Sequence, residues 1–227
     1  MERKKIKGAI WDIDGTLIDS MPIWRDLGAR FLKKRDILPE KNLGDILFPM
    51  TIVQGIRYIK VHYPVEESEE EIRAGLMEEV GIFYRDQVPL KAGVEDILLL
   101  MKEGGIPMIL ATVGDPALEE AALARLGILD YFKEILTCEA LSTTKQDPLI
   151  YLECARKMGT RPEETLVFED VCHAIHTAHQ AGFVVAGVED EESLSMREAI
   201  REESDLYISD FRDPQVKRQI RDWISRV

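Results

Sequence analysis

The sequence has few cysteines and no long apolar run. Its cysteines, Cys138, Cys154 and Cys172, are odd in number, far apart and without a C-x-x-C pair. This pattern does not predict a disulfide framework and favours a reducing compartment. No segment has the roughly 20 consecutive apolar residues that span a bilayer, and the apolar part of the N-terminal MERKKIKGAI is too short for a secretion signal. We therefore expect a cytoplasmic protein.

Positive charge is also scarce. The chain has 29 Lys and Arg residues against 42 Asp and Glu residues, a formal net charge of −13. This deficit argues against electrostatic binding to nucleic acid or to an anionic membrane, and an anionic ligand must be attracted by local positive charge. The composition, 45% hydrophobic and 31% charged, is that of a globular protein. We expect no nucleic-acid or membrane partner, and a monomer or weak dimer.

Two kinds of pattern divide the chain. Residues 21–85 have helical periodicity without any strand-like run. After Pro89, helical stretches alternate with short apolar runs, which predicts an α/β fold with a parallel sheet and helices on both faces. The predicted organisation is a Rossmann-like core of residues 1–18 and 89–227, with an all-helical domain of residues 19–88 inserted after the first strand. Helical stretches also end at glycines that we expect in the left-handed conformation: Gly104, Gly127, Gly159 and Gly182.

The segment AIWDIDGTLIDS places two aspartates at the end of a short apolar run. The run from Ile6 to Trp11 predicts a buried strand, and Gly15 ends it. Because side chains alternate along a strand, Asp12 and Asp14 are expected on the same side. Two carboxylates this close repel one another, so the pair requires a divalent cation, a shared proton or both.

Other reactive side chains follow other predicted strands. Ligands of open α/β sheets bind outside the carboxyl ends of the strands. Thr112, Glu169 and Asp170 stand at such ends, and Lys145 lies in the segment after the third strand. The carboxylates suit Mg²⁺, and Lys145 supplies a compact positive charge. An aspartate nucleophile, a second carboxyl group, a metal and a lysine are the groups needed for phosphoryl transfer through an aspartyl-phosphate.

These motifs resemble those of the haloacid dehalogenase superfamily. The resemblance is closest to its phosphatases with a helical cap inserted after the first strand, the group that includes phosphoglycolate phosphatase and β-phosphoglucomutase, and it covers nearly the whole chain. Four motifs occur in the family's order, each at a strand end or in the following segment: Asp12-Ile13-Asp14-Gly15-Thr16, Thr112 after MILA, Lys145 with Asp147-Pro148, and Glu169-Asp170.

The resemblance implies a reaction on a phosphate ester. Asp12 would attack phosphorus, and Asp14 would protonate the leaving oxygen and then act as the base for water. Thr112 would hold the transferring phosphoryl oxygens, together with backbone N–H groups near Ile13 and Val113. The implied function is hydrolysis of a small phosphomonoester, which makes a small phosphorylated metabolite the expected partner.

The resemblance also implies the cationic groups of the site. Lys145 would neutralise charge on the nucleophile and the phosphate. Mg²⁺ would be the cofactor, bound by Asp12, Asp170 and the Asp14 carbonyl, with Glu169 as a direct or a water-mediated ligand.

Two motifs depart from the family pattern. Val171 and Ala174 stand where the fourth motif usually continues with Ser and Gly, and Gln146 replaces a proline after Lys145. A hydroxyl near the metal loop and some loop rigidity are lost, which puts the rate in question. No reacting group is missing, so the sequence still predicts catalysis.

The substrate depends on the inserted helices. Ser20, near the expected hinge, and Trp24, Arg25 and Arg57 are candidates to contact substrate. In β-phosphoglucomutase a histidine stands twelve residues after the nucleophile, and here that position is Trp24. We therefore predict hydrolysis, with the phosphosugar mutase reaction as the alternative. A core-packing role for Trp24 is equally compatible with the sequence.

Several of these segments also have structural interpretations. Asp-x-Asp-Gly alone is typical of a solvated turn, and Asp115-Pro116 is a helix N-cap followed by the favoured first-turn proline. Thr51-x-x-Gln54 predicts a capping box rather than a substrate contact. The acidic run 66–71 predicts a solvated helix start.

Three other functions are disfavoured. Histidines at positions 173, 176 and 179 drift around a helix without accompanying cysteines, so we expect no zinc site. Asp14 argues against a dehalogenase, because a halide leaving group needs no proton. A non-catalytic metal-binding module would be favoured only if one of Asp12, Asp14, Lys145 or Asp170 were missing, and all are present.

Overall fold

The chain folds as two units. The computed structural model describes residues 5–225. One unit comprises Met1–Asp19 and Pro89–Val227, and the other comprises Ser20–Val88. None of the helices in the described part of the chain has the length and apolar character needed to cross a lipid bilayer.

A six-stranded sheet forms the centre of the first unit. Its strands are β1 Gly8–Trp11, β2 Met108–Thr112, β3 Ile135–Thr137, β4 Thr165–Glu169, β5 Val184–Val188 and β6 Leu206–Ile208. Their order is β3-β2-β1-β4-β5-β6, and all neighbours pair in parallel. The predicted α/β fold with a parallel sheet is thus confirmed. The first strand begins later than predicted, because the N–H of Ile6 bonds to the carbonyl of Trp223 and not to a neighbouring strand.

Helices precede or follow these strands in the alternation that the sequence predicted. In chain order the α-helices of the described residues are α1 Met21–Lys33, α2 Leu43–Leu47, α3 Ile52–His62, α4 Glu69–Ile82, α5 Val94–Glu103, α6 Pro116–Arg125, α7 Leu149–Met158, α8 Cys172–Gln180, α9 Arg197–Glu203 and α10 Pro214–Ile224. A π-helical turn, Phe83–Gln87, follows α4. The unit Ser20–Val88 therefore contains helices α1 to α4.

The central strands are buried on both faces. Ile10 of β1 and Val167 of β4 belong to a core cluster with Tyr151 of α7 and with residues of α8 and α9. Because successive side chains of a strand point to opposite faces, Trp11 and Phe168 face the other side. Their rings stack there with centroids 3.6 Å apart. This two-sided burial explains why β1 and β4 are continuous apolar runs rather than alternating ones.

Three of the four predicted left-handed glycines are confirmed. Gly127, Gly159 and Gly182 have φ of +74°, +72° and +86°. The prediction for Gly104 is wrong: its φ is −70° and its N–H still bonds to the carbonyl of Leu100. The next residue, Gly105, takes the left-handed conformation with φ +68°. Two adjacent glycines allow the helical turn to extend by one residue before the chain reverses.

Two short helices were not predicted from the sequence. α2 is one turn long with a single buried residue, Leu43, and α9 has only Ile200 buried. One apolar contact gives no periodicity to detect, so both helices depend on tertiary packing. The predicted capping box at Thr51 is present, and Ser68 begins α4 with a capping box of its own at the acidic run.

Candidate active site

The carboxyl ends of β1, β2 and β4 lie side by side. β1 pairs with both other strands, with Trp11 opposite Leu110 on one side and Phe168 on the other. In open parallel sheets, ligands bind at the carboxyl ends of the strands, at the point where the strand order reverses. Here that point lies between β1 and β4. The backbone N–H of Asp12 bonds to the Phe168 carbonyl at 3.0 Å. Asp12 therefore follows the strand at the point where the fold leaves room for a ligand.

A tight turn holds the first motif. The carbonyl of Ile13, which is fully buried, accepts hydrogen bonds from the N–H groups of Leu17 and Ile18, and Gly15 has φ +81°. Asp12 is buried and Asp14 is partly exposed. Both aspartates lie beyond the end of β1, so the turn rather than strand alternation sets their directions.

The returning chain is bonded to this turn. Ile18 pairs with Leu90 in an antiparallel bridge, and the N–H of Lys91 bonds to the carbonyl of Leu17 at 3.0 Å. Lys91 also forms an ion pair of 2.5 Å with Asp190, which is buried. The motif turn is thus fixed to the start of the segment that leads into α5.

A buried lysine joins two of the predicted site carboxylates. Lys145 forms ion pairs with Asp12 and, at 2.6 Å, with Glu169, and the Tyr151 hydroxyl donates to Glu169 at 2.8 Å. Burial would lower the pKa of Lys145, but the carboxylates of Asp12 and Glu169 outweigh this effect and hold the pKa above its ordinary value. Lys145 therefore carries its charge in the buried site.

Three carboxylates converge around one point. Asp12, Glu169 and Asp170 each place an oxygen within 4.8 Å of the others, and all three residues are buried. Burial, followed by the charges of Asp12 and Glu169, raises the pKa of Asp170 well above its ordinary value. Carboxylates this crowded require a cation or a proton. The sequence predicted this group, and the structure brings it together.

The donor set fits a hard divalent cation. The Thr16 hydroxyl donates to Asp170 Oδ1 at 3.1 Å, which orients that carboxylate. Glu169 Oε1 is occupied by Lys145 and Tyr151, whereas Glu169 Oε2 is buried and has no hydrogen-bond partner among residues 5–225. A cation would satisfy that oxygen, and three carboxylate oxygens suit Mg²⁺.

Gly15→Ala tests this geometry. A Cβ at Gly15 would lie 2.5 Å from Asp170 Oδ2, and the residue would be strained at φ +81°. We expect Mg²⁺ affinity to fall by about 10- to 100-fold, as when a group that orients metal ligands is disturbed, and calorimetric titration with Mg²⁺ measures it. Gly127→Ala is the matched control, since it introduces the same backbone strain, φ +74°, with no atom within 4 Å. Equal Mg²⁺ affinities of the two variants would contradict this account.

Thr112 has a partner that was not predicted from the sequence. Its hydroxyl lies 2.5 Å from Glu119 Oε1 and accepts the N–H of Gly114 at 2.9 Å. Glu119 is 1% exposed. Burial, followed by the charge of Asp14, raises the pKa of Glu119 to about 9. The hydroxyl proposed for the phosphoryl group is therefore already engaged by a buried carboxyl group.

Periodicity in α6 could have identified Glu119 as a buried residue, although not its contact with Thr112. Asp115 caps this helix as predicted and accepts N–H groups of Ala117 and Leu118. Glu119 then shares a helical face with Ala122 and Leu123, and all three are buried. An acidic residue in the first helical turn is usually explained by the helix dipole. That explanation gives no reason to expect Glu119 on the buried face.

The candidate substrate residues of the helical segment lie in the second unit. Ser20 is fully buried, and its hydroxyl has no hydrogen-bond partner among residues 5–225. Trp24 lines an apolar cavity of about 110 Å³ inside that unit. Arg25 stacks over Phe48 at 4.5 Å and pairs with an aspartate of α2, whereas Arg57 is exposed. Their contact with substrate stays a prediction.

The remaining sequence features take ordinary places in the fold. Val113 exposes 68% of its surface, so only its backbone could serve a phosphoryl group. Val171 is the N-cap of α8 and makes no side-chain cap bond, the consequence of the missing hydroxyl. The histidines of α8 are exposed, and His176 Nδ1 lies 2.8 Å from Glu203. They occupy the outer side of the helix.

Comparison with curated proteins places this site among hydrolases. The family model for haloacid dehalogenase-like hydrolases matches residues 6–182. The chain is 27% identical to fructose-1-phosphate phosphatase YqaB of Escherichia coli K12, covering 79% of this chain and 94% of that protein. It is 26% identical to phosphoglycolate phosphatase of Chromobacterium violaceum, covering 83% and 87% of the two chains.

Solved structures have the same fold. A candidate β-phosphoglucomutase from Thermotoga maritima matches with a TM-score of 0.83 and 23% identity, covering 94% of this chain and 99% of that one. A family hydrolase from Deinococcus radiodurans with bound phosphate and sodium matches with a TM-score of 0.76 and 14% identity, covering 99% and 100%. At these identities the likeness concerns the fold alone. Together with the family match over most of its length, it identifies this chain as a haloacid dehalogenase-like hydrolase.

Proposed function

We propose that the protein is a Mg²⁺-dependent phosphatase that hydrolyses a small phosphomonoester through a phosphorylated Asp12. One observation carries the proposal: the buried carboxylate of Asp12 contacts the Lys145 ammonium and lies within 4.8 Å of the Glu169 and Asp170 oxygens. If Asp12 only stabilised the fold, an ion pair with Lys145 would be enough to compensate its charge. The additional carboxylates give it the surroundings of a nucleophile beside a cation site.

The side chains divide the reaction into two steps. An Asp12 oxygen bonds to phosphorus while the ester oxygen leaves with a proton from Asp14. Asp14, now ionised, takes a proton from water, and that water oxygen attacks phosphorus and releases Asp12 and inorganic phosphate. Lys145 offsets negative charge on Asp12 and on the phosphoryl group through both steps.

The acidic cluster is proposed to hold the cofactor. Asp12, Asp170 and the Asp14 carbonyl would be the ligands, and the unpartnered oxygen of Glu169 would bind directly or through water. When bound, Mg²⁺ supplies charge neutralisation for the phosphoryl oxygens. Thr16 keeps Asp170 oriented for this role through its hydrogen bond.

Sugar phosphates, hexitol phosphates and phosphoglycolate are the first substrates to test. These compounds appear in the names of relatives that are 26–28% identical, including fructose-1-phosphate phosphatase, hexitol phosphatase B and phosphoglycolate phosphatase. We assign residues 19–88 the role of a cap that selects the leaving group, with Ser20, Trp24, Arg25 and Arg57 as its contacts. Hydrolysis is preferred over the mutase reaction because Trp24 stands where β-phosphoglucomutase has a histidine that assists its acid–base aspartate.

The test is phosphate release from a panel of these esters with Mg²⁺ and with excess chelator. We expect release from at least one ester, its loss in chelator, and its recovery when Mg²⁺ is restored. Interconversion of β-glucose 1-phosphate and glucose 6-phosphate is measured in parallel. Sustained interconversion without phosphate release would overturn hydrolysis, and release that is indifferent to chelator would overturn the metal assignment.

A further inference from the structure

Glu119 is a buried carboxyl group that the two steps above do not use. It lies on the first turn of α6, its Oε1 is 2.5 Å from the Thr112 hydroxyl, and the residue is 1% exposed. Its other oxygen, Oε2, is also buried and has no hydrogen-bond partner in the part of the chain that the structure describes. Leaving a polar atom in this state costs free energy. A purely structural role accounts for Oε1, which contacts Thr112, but leaves the burial of Oε2 without compensation.

The absence of a side chain at Gly114 lets the Glu119 carboxyl group approach the backbone just after the end of β2. A Cβ at Gly114 would lie 2.2 Å from Glu119 Oε1 and 3.1 Å from Asp14 Oδ2. Any other residue at Gly114 would therefore displace the Glu119 side chain. Oxygens of Glu119 and Asp14 thus both lie close to Gly114, two residues after the end of β2.

We propose that Glu119 is a positioning residue for phosphoryl binding: it holds the Thr112 hydroxyl so that the single hydroxyl proton of Thr112 points to a phosphoryl oxygen. This inference rests on the proposed function, because it gives Thr112 a phosphoryl group to bind. It adds a residue outside the four motifs of the family.

The hydrogen bonds of Thr112 explain the role. A threonine hydroxyl has one proton to donate and two acceptor positions. The N–H of Gly114 fills one acceptor position. A protonated Glu119 fills the second by donating its own proton, and the Thr112 proton is then free for substrate. An ionised Glu119 instead accepts the Thr112 proton and removes the donor, and this is the direction of the 2.5 Å contact when the carboxyl group carries no proton.

The environment of Glu119 supports the protonated form. Burial is the largest cause that raises its pKa above the ordinary value, and burial acts whether or not Asp14 carries its proton, so the neutral form of Glu119 is favoured at pH 7. A neutral acid also avoids adding a negative charge beside a phosphate dianion. Glutamine has the same shape, is neutral at every pH and can donate an N–H to Thr112.

The first experiment compares Glu119→Gln and Glu119→Leu with wild type. We expect Glu119→Leu to lower kcat/KM by about 10- to 100-fold, somewhat less than the loss typical of removing a transition-state donor outright. Glu119→Gln is expected to stay within about threefold of wild type, because its amide replaces the donor. Glu120→Gln is the matched control, since Glu120 is exposed on the same helix. The proposal is overturned if Glu119→Leu keeps wild-type kcat/KM or if Glu119→Gln is equally impaired.

Two further measurements separate this inference from the proposed function. In a Thr112→Val background, Glu119→Leu should have little additional effect on kcat/KM, and an undiminished effect would show that Glu119 does not act through Thr112. Calorimetric binding of inorganic phosphate should weaken about tenfold in Glu119→Leu and be retained in Glu119→Gln. If wild type binds phosphate but hydrolyses no ester, the proposed function fails. The phosphate affinities of wild type and the two Glu119 variants still decide the role of Glu119. Equal phosphate affinities of wild type, Glu119→Leu and Glu119→Gln would contradict the positioning role of Glu119.

Discussion

Asp12→Asn should abolish phosphate release. The amide cannot form the acyl-phosphate bond, and it replaces one of the three carboxylates of the acidic cluster by a neutral group. Loss of a catalytic nucleophile or of a residue acting with it lowers kcat by on the order of 10⁴-fold or more. Phosphate release under saturating Mg²⁺ and substrate measures the effect, with circular dichroism to verify that the variant is folded.

Asp36→Asn is the matched control for this variant. Asp36 is exposed and has φ of +57°, a conformation that asparagine adopts easily. The same chemical change should therefore leave kcat unaltered there. Phosphate release by Asp12→Asn at a rate close to that of wild type would refute the assignment of Asp12 as the nucleophile.

Lys145→Met should damage both activity and stability. The substitution keeps a long side chain but leaves the buried carboxylates of Asp12 and Glu169 without their common partner. Removing one member of a buried ion pair typically costs about 3–5 kcal/mol. We expect a lower midpoint of urea unfolding in chelator and a kcat reduced by at least the 100-fold typical of one lost electrostatic group.

The stability loss of Lys145→Met should depend on pH. Burial already raises the pKa of Asp170 and of Glu169, and Lys145 opposes the rise at Glu169. A carboxyl group whose pKa is higher in the folded state stabilises the fold below its unfolded-state pKa and loses that contribution as pH rises through its folded-state pKa. The deficit of Lys145→Met should therefore shrink as pH falls from 8 towards 5, because the crowded carboxyl groups take up protons.

Lys217→Met provides the comparison. Lys217 pairs with Asp96 on the surface at 3.0 Å, and exposed pairs of this kind contribute little. Its urea midpoint should follow that of wild type at every pH. A Lys145→Met midpoint that also follows wild type between pH 5 and 8 would contradict the charge balance assigned to the site.

The sequence was sufficient to predict the residues that stand at strand ends. Apolar runs locate the strands of a parallel sheet, and the carboxyl ends of such strands share one edge. Asp12, Thr112, Glu169 and Asp170 follow directly from this geometry. Lys145 was predicted because it lies in the segment after the third strand, and the structure places its ammonium against two of the carboxylates.

Contacts that depend on how a helix packs were not predictable. Glu119 is an ordinary first-turn acid by local pattern, and only the packing of α6 brings it to Thr112. The pairing of Lys91 with Asp190 joins segments 99 residues apart. Helix α2, with one buried residue, lacks the repeating apolar positions from which a helix is predicted. Each of these features depends on tertiary structure rather than on a local signal.

In the proposed reaction the phosphoryl group is bonded covalently to Asp12, and that bond can be trapped. The enzyme is mixed with an ester that it hydrolyses, quenched in acid during turnover, and reduced with borohydride, which converts an aspartyl-phosphate to homoserine. The peptide that contains Asp12 and Asp14 is then sequenced by mass spectrometry. We expect homoserine at position 12, with Asp14 unmodified and no modification in enzyme quenched without substrate. An unmodified Asp12 under conditions of rapid phosphate release, or homoserine at position 14, would rule out the covalent bond to Asp12.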